Sequence, residues 1–181
     1  MATSPKRIAW DACSWIAHIQ KEKILGADGK TVAEDRGAMC RPVLNAAERG
    51  ILEIVVSALS LVEVLCKNRE AGIDDQKVRD YFDNDYILLV SVDKQVGDRA
   101  RQLMLEGHAK LKPPDAIHIA TAAIANAEEL HTFDDRLLAL DGKVDKLDGT
   151  RLVIKKPAVP APPAPLLTEL ERGPGGPAAA S

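Results

Sequence analysis

"ILEIVVSALSLVEVLCKNRE", residues 51–70, changes its period partway along. Residues 51–59 are dense in Ile and Val and read as a buried strand. From Ser60 onward Leu61, Val64 and Leu65 fall at helical spacing and mark an inward helix face. The same step from strand to helix recurs along the chain. "RIAW" (7–10) precedes a helix over "CSWIAHIQKEK", with Trp15, Ile16 and Ile19 on one face. "YILLVSV" (86–92) precedes "DKQVGDRARQLMLEG", where Asp93 is the cap. "ELHTF" (129–133) precedes the short helix "DDRLLALD". Strands that alternate with helices argue for a parallel sheet covered on both faces.

The remaining segments fit around these units. "GADGK" (26–30) is a turn-rich loop. "TVAEDRGAMCRPVLNAAERG" (31–50) reads as helical, with a kink or break expected at Pro42 and a stop at Gly50. "DDQKVRDYFDN" (74–84) is a short polar helix, and "PPDAIHIATA" (113–122) opens an apolar one. "TRLVIKK" (150–156) is a last edge strand. Residues 157–181, "PAVPAPPAPLLTELERGPGGPAAAS", carry no pattern that would bury a face beyond "LLTEL" and read as a flexible tail. The expected organisation is one domain over 1–156 followed by that tail.

Composition narrows the function classes. With 181 residues and 46% hydrophobic content the chain can bury a sizeable core. Its net charge of -3 gives no global pull toward nucleic acid, so an anionic partner needs local basic groups or bound cations. The three cysteines, Cys13, Cys40 and Cys66, form no CxxC pair and read as free thiols of a cytoplasmic protein. Neither a membrane span nor a cleavable leader is expected, since Asp11 interrupts the one apolar run near the start.

The acidic residues matter by position. In a parallel α/β sheet, ligands bind beyond the carboxyl ends of the strands. Asp11 directly follows "RIAW", and Asp134 and Asp135 directly follow "ELHTF". Glu63 lies in the first turns of the helix after the strand 51–59, and Asp115 begins its own helix. Taken singly, Asp11 and Asp134 suit helix caps and Asp115 suits the positive end of a helix dipole. Taken together, Asp11, Glu63, Asp115 and Asp134 are a set of hard oxygen donors whose mutual repulsion a divalent cation would relieve. No Ser-His-Asp or Cys-His arrangement competes with them.

Four blocks carry a family resemblance: "IAWDACSWI", "SALSLVEVL", "LKPPDAIHIATA" and "LHTFDDRLL". Over residues 7–156 the chain resembles PIN-domain proteins, and most of all the VapC toxins of bacterial toxin–antitoxin pairs. The resemblance implies a three-layer α/β/α fold around a mostly parallel sheet. It implies a metal-dependent endoribonuclease whose acidic site is Asp11, Glu63, Asp115 and Asp134, using Mg²⁺ or Mn²⁺. An antitoxin partner and a homodimer come with it. Asp135 is an alternate ligand, and Ser14 and Thr121 are supporting residues around the site. The first block departs from the family's Asp-Thr-Ser or Asp-Thr-Asn, because Ala12 and Cys13 follow Asp11. His118, one helical turn after Asp115, is a further residue that could touch the site. Lys67, Lys110, Lys112 and Arg136 are candidates to hold RNA phosphates. The competing readings are a PIN-fold RNA-processing nuclease without an antitoxin and a non-catalytic module that binds one Mg²⁺. Against a phospho-receiver, only one carboxylate ends the first strand; against a haloacid-dehalogenase-type phosphatase, Cys13 stands where a second aspartate is needed.

Overall fold

The computed structural model describes residues 5–106 and 111–160. Strand β1 (Lys6–Trp10) leads through the Asp11 cap into helix α1 (Ala12–Gln20). A hairpin of β2 (Lys23–Leu25) and β3 (Val32–Asp35) follows, then α2 (Arg36–Glu48). Next come β4 (Leu52–Ser57), α3 (Ser60–Glu70), α4 (Asp75–Phe82) and β5 (Ile87–Val90). The chain continues through α5 (Lys94–Leu105), α6 (Pro113–Ile124), β6 (Glu129–His131), α7 (Asp135–Leu138) and β7 (Val153–Lys155).

Five strands form one sheet in the order β5-β4-β1-β6-β7, and every pairing in it is parallel. Helices cover both faces. One face packs Trp10, Trp15, Val43, Leu44, Ile54 and Val56 into a core with α1, α2, α3 and α4. The other packs Val55, Leu103, Ile119, Leu130 and Ile154 beneath α5 and α6. Because β4 is buried on both sides, Ile54, Val55 and Val56 need no polar alternation, which is why the run is continuously apolar. The α/β/α layering expected from the strand–helix alternation is the observed architecture.

Local details differ from the sequence reading. The helix expected to run on through "QKEK" ends at Gln20, with Lys21 in the left-handed region at φ 52°. The reversal lets Gly37 pack directly on the Lys21 backbone, so close that a Cβ at Gly37 would stand 2.8 Å from Lys21 Cα. The segment 31–50 is not one helix. Residues 32–35 form β3 because they pair with 23–25, and Asp35 then caps α2 by accepting the Ala38 N–H. Helix α2 runs through Pro42 without breaking, and Gly50 stops the segment at φ 70°. Leu61 is 39% exposed rather than inward, because α3 seats Ser60, Val64 and Asn68 instead, one i/i+4 row. Of the tail, residues 161–181 lie outside the described residues, as does Lys110. Among the described residues no helix is long and apolar enough to cross a membrane.

Candidate active site

At the carboxyl ends of β1 and β6, two neighbouring strands with Trp10 beside His131, the chain turns twice into helices. Each turn places a carboxylate at the strand end. Asp11 caps α1 and Asp134 caps α7, so the bland reading of both residues is true locally. Helix α3 brings Glu63 from the other side of β1, by way of β4. Helix α6 brings Asp115 to the same edge. All four line one cleft of about 420 Å³, together with Cys13, Ile16, Cys66, Lys67, His118 and Leu137.

Each carboxylate is held by an internal partner. Asp11 is 4% exposed and accepts three kinds of donor. The Ser14 backbone N–H reaches Oδ1 at 3.0 Å, the Thr132 hydroxyl reaches Oδ2 at 2.6 Å, and the Cys13 thiol lies 3.0 and 2.9 Å from the two oxygens. Burial, and then the adjacent Asp11 charge, push the Cys13 thiol far above its usual range, so Cys13 is a donor here and not a nucleophile. It also accepts the Phe133 N–H at 3.2 Å, tying the start of α1 to the segment after β6.

Glu63 Oε2 lies 2.7 Å from His118 Nε2. His118 is 5% exposed and its Nδ1 has no hydrogen-bond partner, so the proton facing the carboxylate belongs on Nε2. Asp115 follows Pro113 and Pro114 at the start of α6, where a missing N–H costs nothing. Its Oδ2 accepts the Lys112 N–H only at a long 3.4 Å. It is therefore a weak cap, and it also meets Arg136 Nη2 at 3.4 Å. Asp134 is gripped by the same arginine. Arg136 Nε lies 3.1 Å from Oδ1 and Nη2 lies 2.5 Å from Oδ2, while the Arg136 backbone N–H donates to Oδ1 at 2.8 Å. Those bonds, the side-chain one first, hold the Asp134 carboxyl below the usual aspartate range.

The other candidates separate. Asp135 is exposed on α7 and is not one of the residues lining the cleft. Ser14 turns its hydroxyl away, donating to the His131 carbonyl at 3.0 Å, so only its backbone serves Asp11. The hydroxyl beside Asp11 comes instead from Thr132, two residues before Asp134, which the sequence reading did not single out. Thr121 is buried and outside the cleft lining, with its hydroxyl unpartnered. Lys67 lines the cleft but also pairs with Glu70 at 3.0 Å. Lys112 is exposed at the mouth of α6. Arg136 faces the carboxylates rather than standing clear as a phosphate binder. Val43 and Leu44 of α2 face the core and offer no surface to a partner. Among the described residues, no three His, Cys, Asp or Glu side chains stand in a metal-holding geometry.

A family model described as PIN domain matches residues 30–143, a stretch that contains Glu63, Asp115 and Asp134 and begins after Asp11. No curated protein matches the sequence. Among solved structures, a toxin–antitoxin complex from Klebsiella pneumoniae is similar at 20% identity and a TM-score of 0.51, covering 70% of this chain and 86% of that one. VapC20 of Mycobacterium tuberculosis, described as a sarcin-ricin loop cleaving toxin, is similar at 15% identity and a TM-score of 0.52, covering 70% and 89%. At such identities the likeness is one of fold.

Proposed function

The chain belongs to the PIN-domain family, and from that premise we propose that it is a divalent-metal-dependent endoribonuclease, the toxin of a toxin–antitoxin pair. The observation that carries the reading is the convergence of Asp11, Glu63, Asp115 and Asp134 on one cleft at the carboxyl edge of a parallel sheet. Their chemistry fits Mg²⁺ or Mn²⁺: the donors are hard oxygens, and two of them already draw a guanidinium onto themselves. Asp11 and Asp115 would be the central ligands, Asp134 would complete the shell, and Glu63 would serve a second ion or orient the attacking water. When bound, such an ion acidifies a water and withdraws charge from a phosphoryl oxygen.

The chain's own residues do the rest. Thr132 and Cys13 fix the Asp11 carboxylate from behind, so its orientation does not depend on solvent. His118 holds Glu63 through Oε2, which leaves Oε1 to accept the proton of the attacking water. Ile16, Val62 and Leu137 give the cleft an apolar wall that strengthens charge interactions inside it. Lys67 and Lys112, with Lys110 beyond the described residues, would hold RNA phosphates at the rim.

The toxin reading takes its support from the two similar structures, one a toxin–antitoxin complex and one a toxin that cleaves the sarcin-ricin loop. A small antitoxin protein, a homodimer and a cytoplasmic location are proposed with it. The test is cleavage of total RNA with Mg²⁺ or Mn²⁺, mapped by end-sequencing, with and without EDTA. Robust cleavage in excess EDTA would overturn the metal mechanism. Growth arrest on expression, relieved by a neighbouring short reading frame, supports the toxin. Cleavage without toxicity would make the protein an RNA-processing nuclease of the same fold, and metal binding without cleavage would make it a non-catalytic module.

A further inference from the structure

Arg136 is the one cation in direct contact with two of the four cleft carboxylates among the described residues. Its guanidinium makes a two-pronged contact with Asp134, through Nε at 3.1 Å and Nη2 at 2.5 Å, and Nη2 reaches on to Asp115 at 3.4 Å. The side chain remains 41% exposed, so solvent reaches it. Its helix, by contrast, is anchored by Leu137, which is 1% exposed. A fixed backbone therefore presents a solvent-accessible cation.

Two carboxylates drawn together repel, and a positive charge between them relieves that repulsion. The guanidinium already sits on Asp134 Oδ2 and Asp115 Oδ2, and a metal ion held by these two aspartates would contend with it for their charge. We propose that Arg136 is an internal counter-cation that competes with the divalent metal for Asp115 and Asp134, so that metal must displace it to bind. The proposal rests on the metal-site reading of the cleft. It gives the metal-free protein a neutralised site and sets how much free metal is needed to open it. Once displaced, the guanidinium stays tethered at the mouth of the cleft, where its planar donors match a phosphate.

The experiment is Mn²⁺ titration of the full chain, followed by loss of the free-ion EPR signal, with metal-free and Mn²⁺-saturated melting on the same samples. The proteins are the wild type, Arg136→Gln, Arg136→Lys and Asp115→Asn. Arg136→Gln should bind Mn²⁺ about tenfold more tightly, the scale on which groups beside metal ligands act. It should also melt lower without metal and gain more on saturation. Arg136→Lys, which keeps the charge but loses the fork, should lie between the two and guards against a folding defect in the Gln variant. If Asp115→Asn loses Mn²⁺ while Arg136→Gln binds with unchanged or weaker affinity, the counter-cation is refuted and the metal site stands. If Asp115→Asn binds as well as the wild type, or if neither the wild type nor Arg136→Gln binds, the metal site falls and the counter-cation falls with it.

Discussion

The indole N–H of Trp10 donates to Nδ1 of His131 at 3.2 Å, across the β1–β6 pair. Nδ1 must then be bare, so the ring carries its proton on Nε2 and donates it to Glu129 at 2.9 Å, where Lys155 also pairs with the carboxylate at 3.0 Å. This chain of polar groups lies under the strand ends that present Asp11 and Asp134.

That bond predicts acid sensitivity. Burial holds His131 below its ordinary value, so as pH falls below about 6.5 the unfolded chain takes up a proton that the native one refuses. The stability present above that pH is lost on the way down. Burial opposes the Glu129 charge, but its bonds to His131 and Lys155 keep the carboxyl below the usual range, so its contribution is lost only at lower pH. Urea unfolding at pH 8, 6.5 and 5.5 should show a falling midpoint across the last two. A midpoint that holds steady or rises there would show that His131 is protonated in the native state.

Asp115 separates a cap from a metal ligand. Asn and Ser both cap helices well, so Asp115→Asn and Asp115→Ser should melt within a few degrees of the wild type, or slightly above it as repulsion is relieved. Cleavage should drop by orders of magnitude in both. Retained cleavage in either variant would leave Asp115 as a cap alone.

Thr132 and Cys13 should act through Asp11. Thr132→Ala removes the shorter of the two side-chain bonds and should weaken Mn²⁺ binding by about 10- to 100-fold. Cys13→Ser retains a donor and should bind nearly as the wild type does, whereas Cys13→Ala should not. Equal Mn²⁺ affinity in Thr132→Ala and the wild type would show that Asp11 needs no such support.

Gly37→Ala tests the turn that places α1 against α2. The new Cβ would meet Lys21 Cα at 2.8 Å, its carbonyl carbon at 3.1 Å and the Ala17 oxygen at 3.2 Å, all backbone atoms that move only with their elements. A loss of about 1–3 kcal/mol is expected in urea unfolding, the usual scale of overpacking. An unchanged midpoint would mean that the start of α2 shifts freely against α1.

What the chain discloses locally is its alternation of periods. Val and Ile at 54–56 and helical spacing after Ser60 are set by neighbouring residues, and they suffice for a parallel sheet with helices on both sides. The strand ends followed, and with them the positions of Asp11, Glu63, Asp115 and Asp134. What depends on distant residues was not legible. Residues 32–35 have no strand pattern of their own and became β3 only by pairing with 23–25. Leu61 fits a helical apolar row, but α3 seats the Ser60, Val64 and Asn68 row instead and leaves Leu61 outward, with the Asn68 amide satisfied on the Val64 carbonyl at 2.9 Å. Above all, the partner of each carboxylate was decided in three dimensions. Thr132 meets Asp11, His118 meets Glu63, and Arg136 joins its neighbour Asp134 to Asp115, because these contacts form through space between segments far apart in the sequence.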